Sequence, residues 1–297
     1  MFTFAAVIRN ALFITLVAAS SLVAQTDSKT SLSFDANYYY GSLLVQHKNV
    51  AHLARNQPEG VFLGLNIKTF GEQYWQEAYG YPDWGISLNY QNYKNDVLGE
   101  NIAVYGHFNF YFFERSLQFR LAQGIGVNTN PFDLDTNFKN NAFGSRVLAS
   151  TYLMFTYQQP IYRGLTLQAG FSLIHHSNGS FRAPNSGTNM YAATVGFTYN
   201  FNEQEPEYIT RGTQEEFNEP IHYNLFVRGG INEGDIEGLG QFPFVTLGGF
   251  IDKRISYKST FQLGAEVFFS KFLENFVKIL FFLVFSSENH NKNQRLV

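Results

Sequence analysis

The chain has 297 residues and a formal net charge of −3, and no basic stretch offsets that balance, which argues against nucleic acid as a partner. It has no cysteine, which excludes a disulfide scaffold and thiolate metal centres. Aromatic residues make up 18% of the chain and charged residues only 15%, yet the mean hydropathy is −0.17, a combination that suits strands apolar on one side only.

The N-terminus carries Arg9, the apolar run Ala11 to Ala19 and the small-residue exit Leu22-Val23-Ala24-Gln25. This three-part pattern predicts a cleaved signal peptide over residues 1–25 rather than an anchoring helix. No other apolar run long enough for a spanning helix occurs before residue 275. An exported chain of this kind is either soluble or an outer-membrane barrel.

Eight strand-like segments follow: 31–45, 60–70, 84–93, 101–113, 116–127, 146–159, 163–177 and 189–201. Several alternate strictly. In the second, Val61, Leu63, Leu65 and Ile67 oppose Gly64, Asn66 and Lys68. In the eighth, Tyr191, Ala193, Val195, Phe197, Tyr199 and Phe201 oppose Ala192, Thr194, Gly196, Thr198 and Asn200. Tight connections are expected at Glu114-Arg115 and Pro160-Ile161-Tyr162, and long polar ones at 46–59, 128–145 and 178–188. The 71–83 connection departs from this alternation. Short turns at one end and long loops at the other predict an all-β, eight-stranded antiparallel transmembrane barrel over 26–201. A soluble lipocalin-like barrel would place the apolar rows inside. The polar rows, rich in Gly, Ser, Thr, Asn and Gln, are poor in the charges a soluble surface carries.

Residues 202–220 are acidic and read as a linker or loop. Beyond them, 221–230, 243–252 and 258–270 are strand-like. They extend the first barrel or form part of a second, incomplete β unit. Phe276 to Phe285 is uniformly apolar and is followed by a polar end. It reads as a buried strand with a disordered end, or as a departure from the parent family.

The chemistry gathers at the hairpin of the seventh and eighth segments. The row Leu165, Leu167, Ala169, Phe171, Leu173 continues to His175 and Ser177, and Asn189 begins the apolar row of the next strand. A hydroxyl, an imidazole and an amide carbonyl therefore meet at the long-loop end, on the lipid-facing side. That is the composition of a nucleophile, base and orienter. Asn189 can accept a hydrogen bond from His175 but brings no negative charge. Asn178, Asn185 and the backbone amides around Gly179 and Ser180 are candidate oxyanion donors. On spacing alone, an H-x-S on a strand is a weak signal and an interfacial His and Ser that only make hydrogen bonds is the favoured reading; a non-catalytic barrel is the alternative function. A small-solute pore is a third reading, disfavoured because eight strands enclose an interior that side chains fill.

The stretch His175-x-Ser177-Asn178, followed by Pro184-Asn185-x-Gly187-x-Asn189 and an alternating strand ending in Phe, resembles the lipid A 3-O-deacylase family, also called acyloxyacyl hydrolases. The resemblance covers about residues 26–201. It implies an eight-stranded outer-membrane barrel whose substrate is lipid A of lipopolysaccharide, with His175 as base, Ser177 as nucleophile and Asn185 as an oxyanion donor. It implies no cofactor. Two departures stand out. The best-known members carry Glu at the position of Asn189, and their barrel ends near Phe201, whereas this chain continues for 96 residues, 297 less 201.

Other candidates are plainer. His107 falls on a row expected to face the interior, with no evident partner and little case for a metal. His47, His222 and His290 fall in loops or at strand ends. Asp133 and Asp135 read as a turn before they read as a cation site. Arg182 is either solvated or a contact for a lipid phosphate. The pattern fixes no oligomeric state.

Overall fold

The computed structural model describes residues 31–46, 48–202, 207–211, 218–234, 238, 240–256, 259–271 and 278–286. The expected signal peptide, His47, His290 and most of the acidic stretch lie outside them. The chain forms two compact units. The first runs to Ser177 and resumes at Ser186–Ile209; the second comprises Asn178–Asn185 and the residues from Thr210 onward.

The first unit is a closed antiparallel barrel of β1 (Leu32–Leu43), β2 (Glu59–Ile67), β3 (Asp83–Asn92), β4 (Glu100–Phe112), β5 (Leu117–Asn128), β6 (Val147–Tyr162), β7 (Leu165–Ser177) and β8 (Thr188–Asn200). Each strand pairs with its sequence neighbour. β1 closes on β8 from Ser33 opposite Asn200 to Leu43 opposite Met190. Closure leaves no bare edge, which hydrocarbon would penalise heavily.

Alternation sets the faces. Ile86, Val104, Ile125, Phe171 and Val195 point outward and are exposed, Ile125 at 66%. The inward rows are polar and buried. Arg120, 1% exposed, donates from Nη1 to Asp35 Oδ1 at 2.9 Å and from Nη2 to Asp35 Oδ2 at 2.6 Å. Asp35 also accepts from Asn37 Nδ2 at 2.8 Å and Asn66 Nδ2 at 2.9 Å. Nearby, the rings of Tyr39, Phe62, Tyr152 and Tyr105 pack at centroid spacings of 4.7, 4.2 and 4.8 Å. The lumen is therefore filled by side chains, as an eight-stranded barrel permits. Apolar outside and polar inside is the transmembrane arrangement and the reverse of a lipocalin-like one.

The connections match the expected asymmetry, with one correction. Pro160, Ile161 and Tyr162 belong to β6; the turn is Arg163-Gly164, and Gly164 takes φ +73°. Pro160 is tolerated because it sits at the strand's far end, beside a register shift. The β2–β3 connection contains a short helix, α1 (Tyr74–Ala78). At the opposite end the long loops share a small core of Leu53, Tyr93, Leu98, Ala142, Phe143 and Leu148.

The second unit contains an antiparallel sheet of β9 (Ile221–Glu233), β10 (Gln241–Ser256), β11 (Ser259–Ser270) and β12 (Lys278–Ser286), in that order. Three strands were expected before the tail, and of the two readings of the uniformly apolar tail the structure has the strand, β12. None of the four joins the first barrel, which closes without them.

Candidate active site

Register builds the site. His175 and Asn189 are directly opposed across the β7–β8 ladder, and Ser177 lies two residues along on the same face of β7. Opposed side chains in such a pair lie within reach of each other. His175 Nδ1–H donates to Asn189 Oδ1 at 2.8 Å, and the Ser177 hydroxyl donates to His175 Nε2 at 3.0 Å. One neutral tautomer, with the proton on Nδ1, satisfies both bonds. The three residues are half-buried, while Phe171, Leu173 and Tyr191 on the same outer face are exposed. The polar trio thus ends an apolar row at the long-loop end. No charged side chain belongs to it.

The backbone around the trio is fixed from two sides. Leu44 N–H donates to the Asn189 carbonyl at 2.8 Å. Ser186 and Gly187 N–H donate to the carbonyls of Asn141 and Ala142 at 3.1 and 3.0 Å. Gly187 takes φ +63°, and a Cβ there would stand 2.9 Å from the His176 carbonyl and 3.2 Å from Ser177 Cβ. Both the left-handed backbone and the space beside Ser177 require glycine. In the sequence, Gly187 figures only as part of the Pro184-Asn185-x-Gly187 element; it stands immediately before β8.

Asn178, Gly179 and Asn185 lie on the second unit's loop. Asn178 N–H donates to Asn185 Oδ1 at 2.8 Å, and Asn178 Nδ2 to the Arg182 carbonyl at 2.6 Å. The backbone N–H and one Nδ2 hydrogen of Asn178 are thereby used within the loop, and Asn185 Nδ2 and the amides of Gly179 and Ser180 are further candidate donors. Gly179 and Ser180 are both left-handed, at φ +64° and +62°. Within the same unit the loop is gripped by β9 and β10. Glu233 Oε2 accepts from Ala183 N–H at 2.9 Å, Glu233 N–H donates to the Ser180 carbonyl at 2.9 Å, and Gln241 Nε2 donates to the Phe181 carbonyl at 2.8 Å. Arg182 is exposed.

The remaining candidates are structural. His176 points the other way into the barrel, with Ser150 Oγ at 2.8 Å. His107 is interior as expected, but it has partners: Asn66 Oδ1 at 2.8 Å and Ser87 Oγ at 3.1 Å. Asp133 Oδ1 accepts from the N–H groups of Asp135 and Thr136 at 3.1 and 2.9 Å, which makes it a turn. His222 is the second residue of β9, and its Nδ1 lies 3.4 Å from Asp252 Oδ2. Among the described residues no group of three or more metal-ligating side chains converges.

Residues 59–198 match the family model of lipid A 3-O-deacylase (PagL). The barrel is similar to the lipid A 3-O-deacylase family over those residues. It is an outer-membrane β-barrel fold, and the match contains all three residues of the trio. Among solved structures, the chain is similar to the outer membrane enzyme PagL, at 16% identity over 55% of this chain and 97% of that one, with a TM-score of 0.37. It is also similar to Neisserial surface protein A, at 10% identity over 58% of this chain and 97% of that one, with a TM-score of 0.36. No curated protein matches the chain.

Proposed function

We propose that this chain is a lipid A 3-O-deacylase, an outer-membrane esterase that removes an ester-linked acyl chain from lipid A by a Ser-His mechanism. His175 is hydrogen-bonded on both ring nitrogens, to Ser177 and to Asn189, on a lipid-facing row; that single observation carries the reading. A soluble hydrolase has no reason to put a base and a hydroxyl on an oily wall. A lipid substrate gives the reason, because its acyl ester lies beside that wall.

In this scheme His175 Nε2 accepts the Ser177 proton as Oγ attacks the ester carbonyl. The tetrahedral oxyanion takes hydrogen bonds from Asn185 Nδ2 and the loop amides near Gly179, each such donor contributing about 3 kcal/mol to the transition state. Collapse expels the sugar hydroxyl, which takes its proton from His175. Water, deprotonated by His175, then attacks the acyl-Ser177 ester and releases the fatty acid. Asn189 holds the Nδ1–H tautomer throughout but supports the imidazolium with a dipole rather than a charge. No cofactor enters this scheme.

The test is mass spectrometry of lipid A incubated with the refolded chain and with Ser177→Ala. Loss of one acyl mass with the wild type and none with the variant is the expected result. Intact lipid A in both, with heat-modifiable migration proving a folded barrel, would refute the esterase and favour a non-catalytic barrel.

A further inference from the structure

We propose that β9–β12 is a lipid-facing half-barrel that closes, apolar face outward, against the same sheet of a second copy of this chain.

The alternation of this sheet is the first observation. One face carries Tyr223, Leu225 and Val227 from β9, Val245 and Leu247 from β10, and Leu263 and Phe269 from β11, brought side by side by the register. Tyr223, Leu225 and Val227 are 80, 93 and 73% exposed, far beyond what a water-facing sheet presents over so continuous a patch. The charges on that face stand at its limits, Glu233 at one end of β9 and Lys253 near the far end of β10. Between Ile221 and Ile231 the β9 row spans ten rises of ~3.3 Å, which at a barrel tilt of ~40° is a band of about 25 Å, the height of a bilayer's apolar belt.

The other face has the composition of a barrel lumen. Arg228 lies 3.8 Å from Glu266, and Asn224 Nδ2 donates to Asp252 Oδ1 at 2.5 Å. The rings of Phe226 and Phe244 lie across Gly248 and Gly230 of the neighbouring strands, where a Cβ would meet them at 2.3 and 2.7 Å. Ion pairs, amides and rings laid over glycine are how the first unit fills its own interior.

An open sheet cannot stand in hydrocarbon, because each bare backbone group at its edges would go unpaired. β9 and β12 each have a single neighbour among the described residues. A second copy supplies what the edges lack. Four strands and four make eight, the smallest count whose interior side chains fill. The sheet has an even number of strands, so β9 and β12 run in opposite directions. A two-fold axis along the membrane normal therefore sets β12 of one copy antiparallel to β9 of the other at both junctions. Both copies keep the same side up, and such two-fold closure is the commonest form of self-association.

The cysteine-free sequence makes the test clean. Leu225→Cys, Leu247→Cys and Thr246→Cys are each labelled with an environment-sensitive fluorophore in the full-length chain, in vesicles that contain brominated acyl chains. Quenching by bromolipid at 225 and 247 and its absence at 246 is expected, together with a two-copy mass by light scattering and co-purification of two differently tagged copies. Quenching of the 225 and 247 labels by aqueous iodide instead of bromolipid overturns the lipid-facing wall. Bromolipid quenching from a protein of one-copy mass overturns closure by a second copy. Neither readout depends on esterase activity.

Discussion

Replacing Asn189 offers the sharpest probe of how the trio works. Asn189→Asp is isosteric and keeps an oxygen where Oδ1 now stands, 2.8 Å from His175 Nδ1, but adds a full negative charge beside the imidazolium that forms during attack. Two unit charges about 4 Å apart interact by about 1 kcal/mol in water and about 4 kcal/mol at an effective dielectric of 20. The site is half-buried, so about 2 kcal/mol is the appropriate middle, a rise of about 30-fold in the deacylation rate. Asn189→Leu works in the opposite direction. It leaves Nδ1–H without its acceptor and the tautomer unfixed, at a cost of about 1–2 kcal/mol and a drop of ~5- to 30-fold. The assay is the initial rate of fatty-acid release from lipid A in mixed micelles, with barrel folding checked by heat-modifiable migration. The order expected is Asp above Asn above Leu. Equal rates for all three, with Ser177→Ala inactive, would refute the role given to Asn189. It would mean that His175 is oriented by something else.

Three further outcomes are expected. Gly187→Ala forces a side chain into a left-handed backbone at about 1–2 kcal/mol and presses on Ser177 Cβ 3.2 Å away; a lowered midpoint in urea should accompany slower turnover, and an unchanged rate would show that the Ser177 position tolerates the push. Asp35→Asn leaves Arg120 buried with half its partner, so the barrel should lose about 3–5 kcal/mol of stability, read by urea unfolding in micelles. Asp35→Leu combined with Arg120→Met should recover much of that loss, and no recovery would mean that packing rather than charge decides it. Glu233→Ala removes the acceptor of Ala183 N–H, worth about 1 kcal/mol, and hydrogen exchange at Ala183 should quicken by ~5-fold, with Glu233→Gln close to wild type. Unchanged exchange would remove Glu233 as a clamp on the 178–185 loop.

Local period carried most of the barrel. Rows such as Tyr191-Ala193-Val195-Phe197 declare two faces without any tertiary contact, and the alternation of short and long connections follows from the polar residues between them. The trio was legible for the same reason, since His175 and Ser177 share a face by parity and Asn189 starts the adjoining row. What was not legible depends on distance along the chain. Asp35 and Arg120 are 85 residues apart, and nothing near either one announces the other. The partners of His107 come from β2 and β3, so its row was readable and its hydrogen bonds were not. Pro160 read as a turn because proline normally stops a central strand, but a strand end beside a register shift accepts it. The tail over Lys278–Ser286 left its strand as one of two readings, because a segment without alternation gives no sign of which face it turns to its neighbour.

The plugged interior decides where chemistry can start. Arg120, Asp35 and the stacked rings fill the lumen, so the lipid of the proposed reaction reaches the trio along the outer wall. It then arrives by lateral diffusion in one leaflet. Its relevant concentration is a mole fraction among neighbouring lipids rather than an amount per volume. The same copies of enzyme and substrate, spread through more inert lipid or detergent, would collide less often even though nothing in the tube had been diluted.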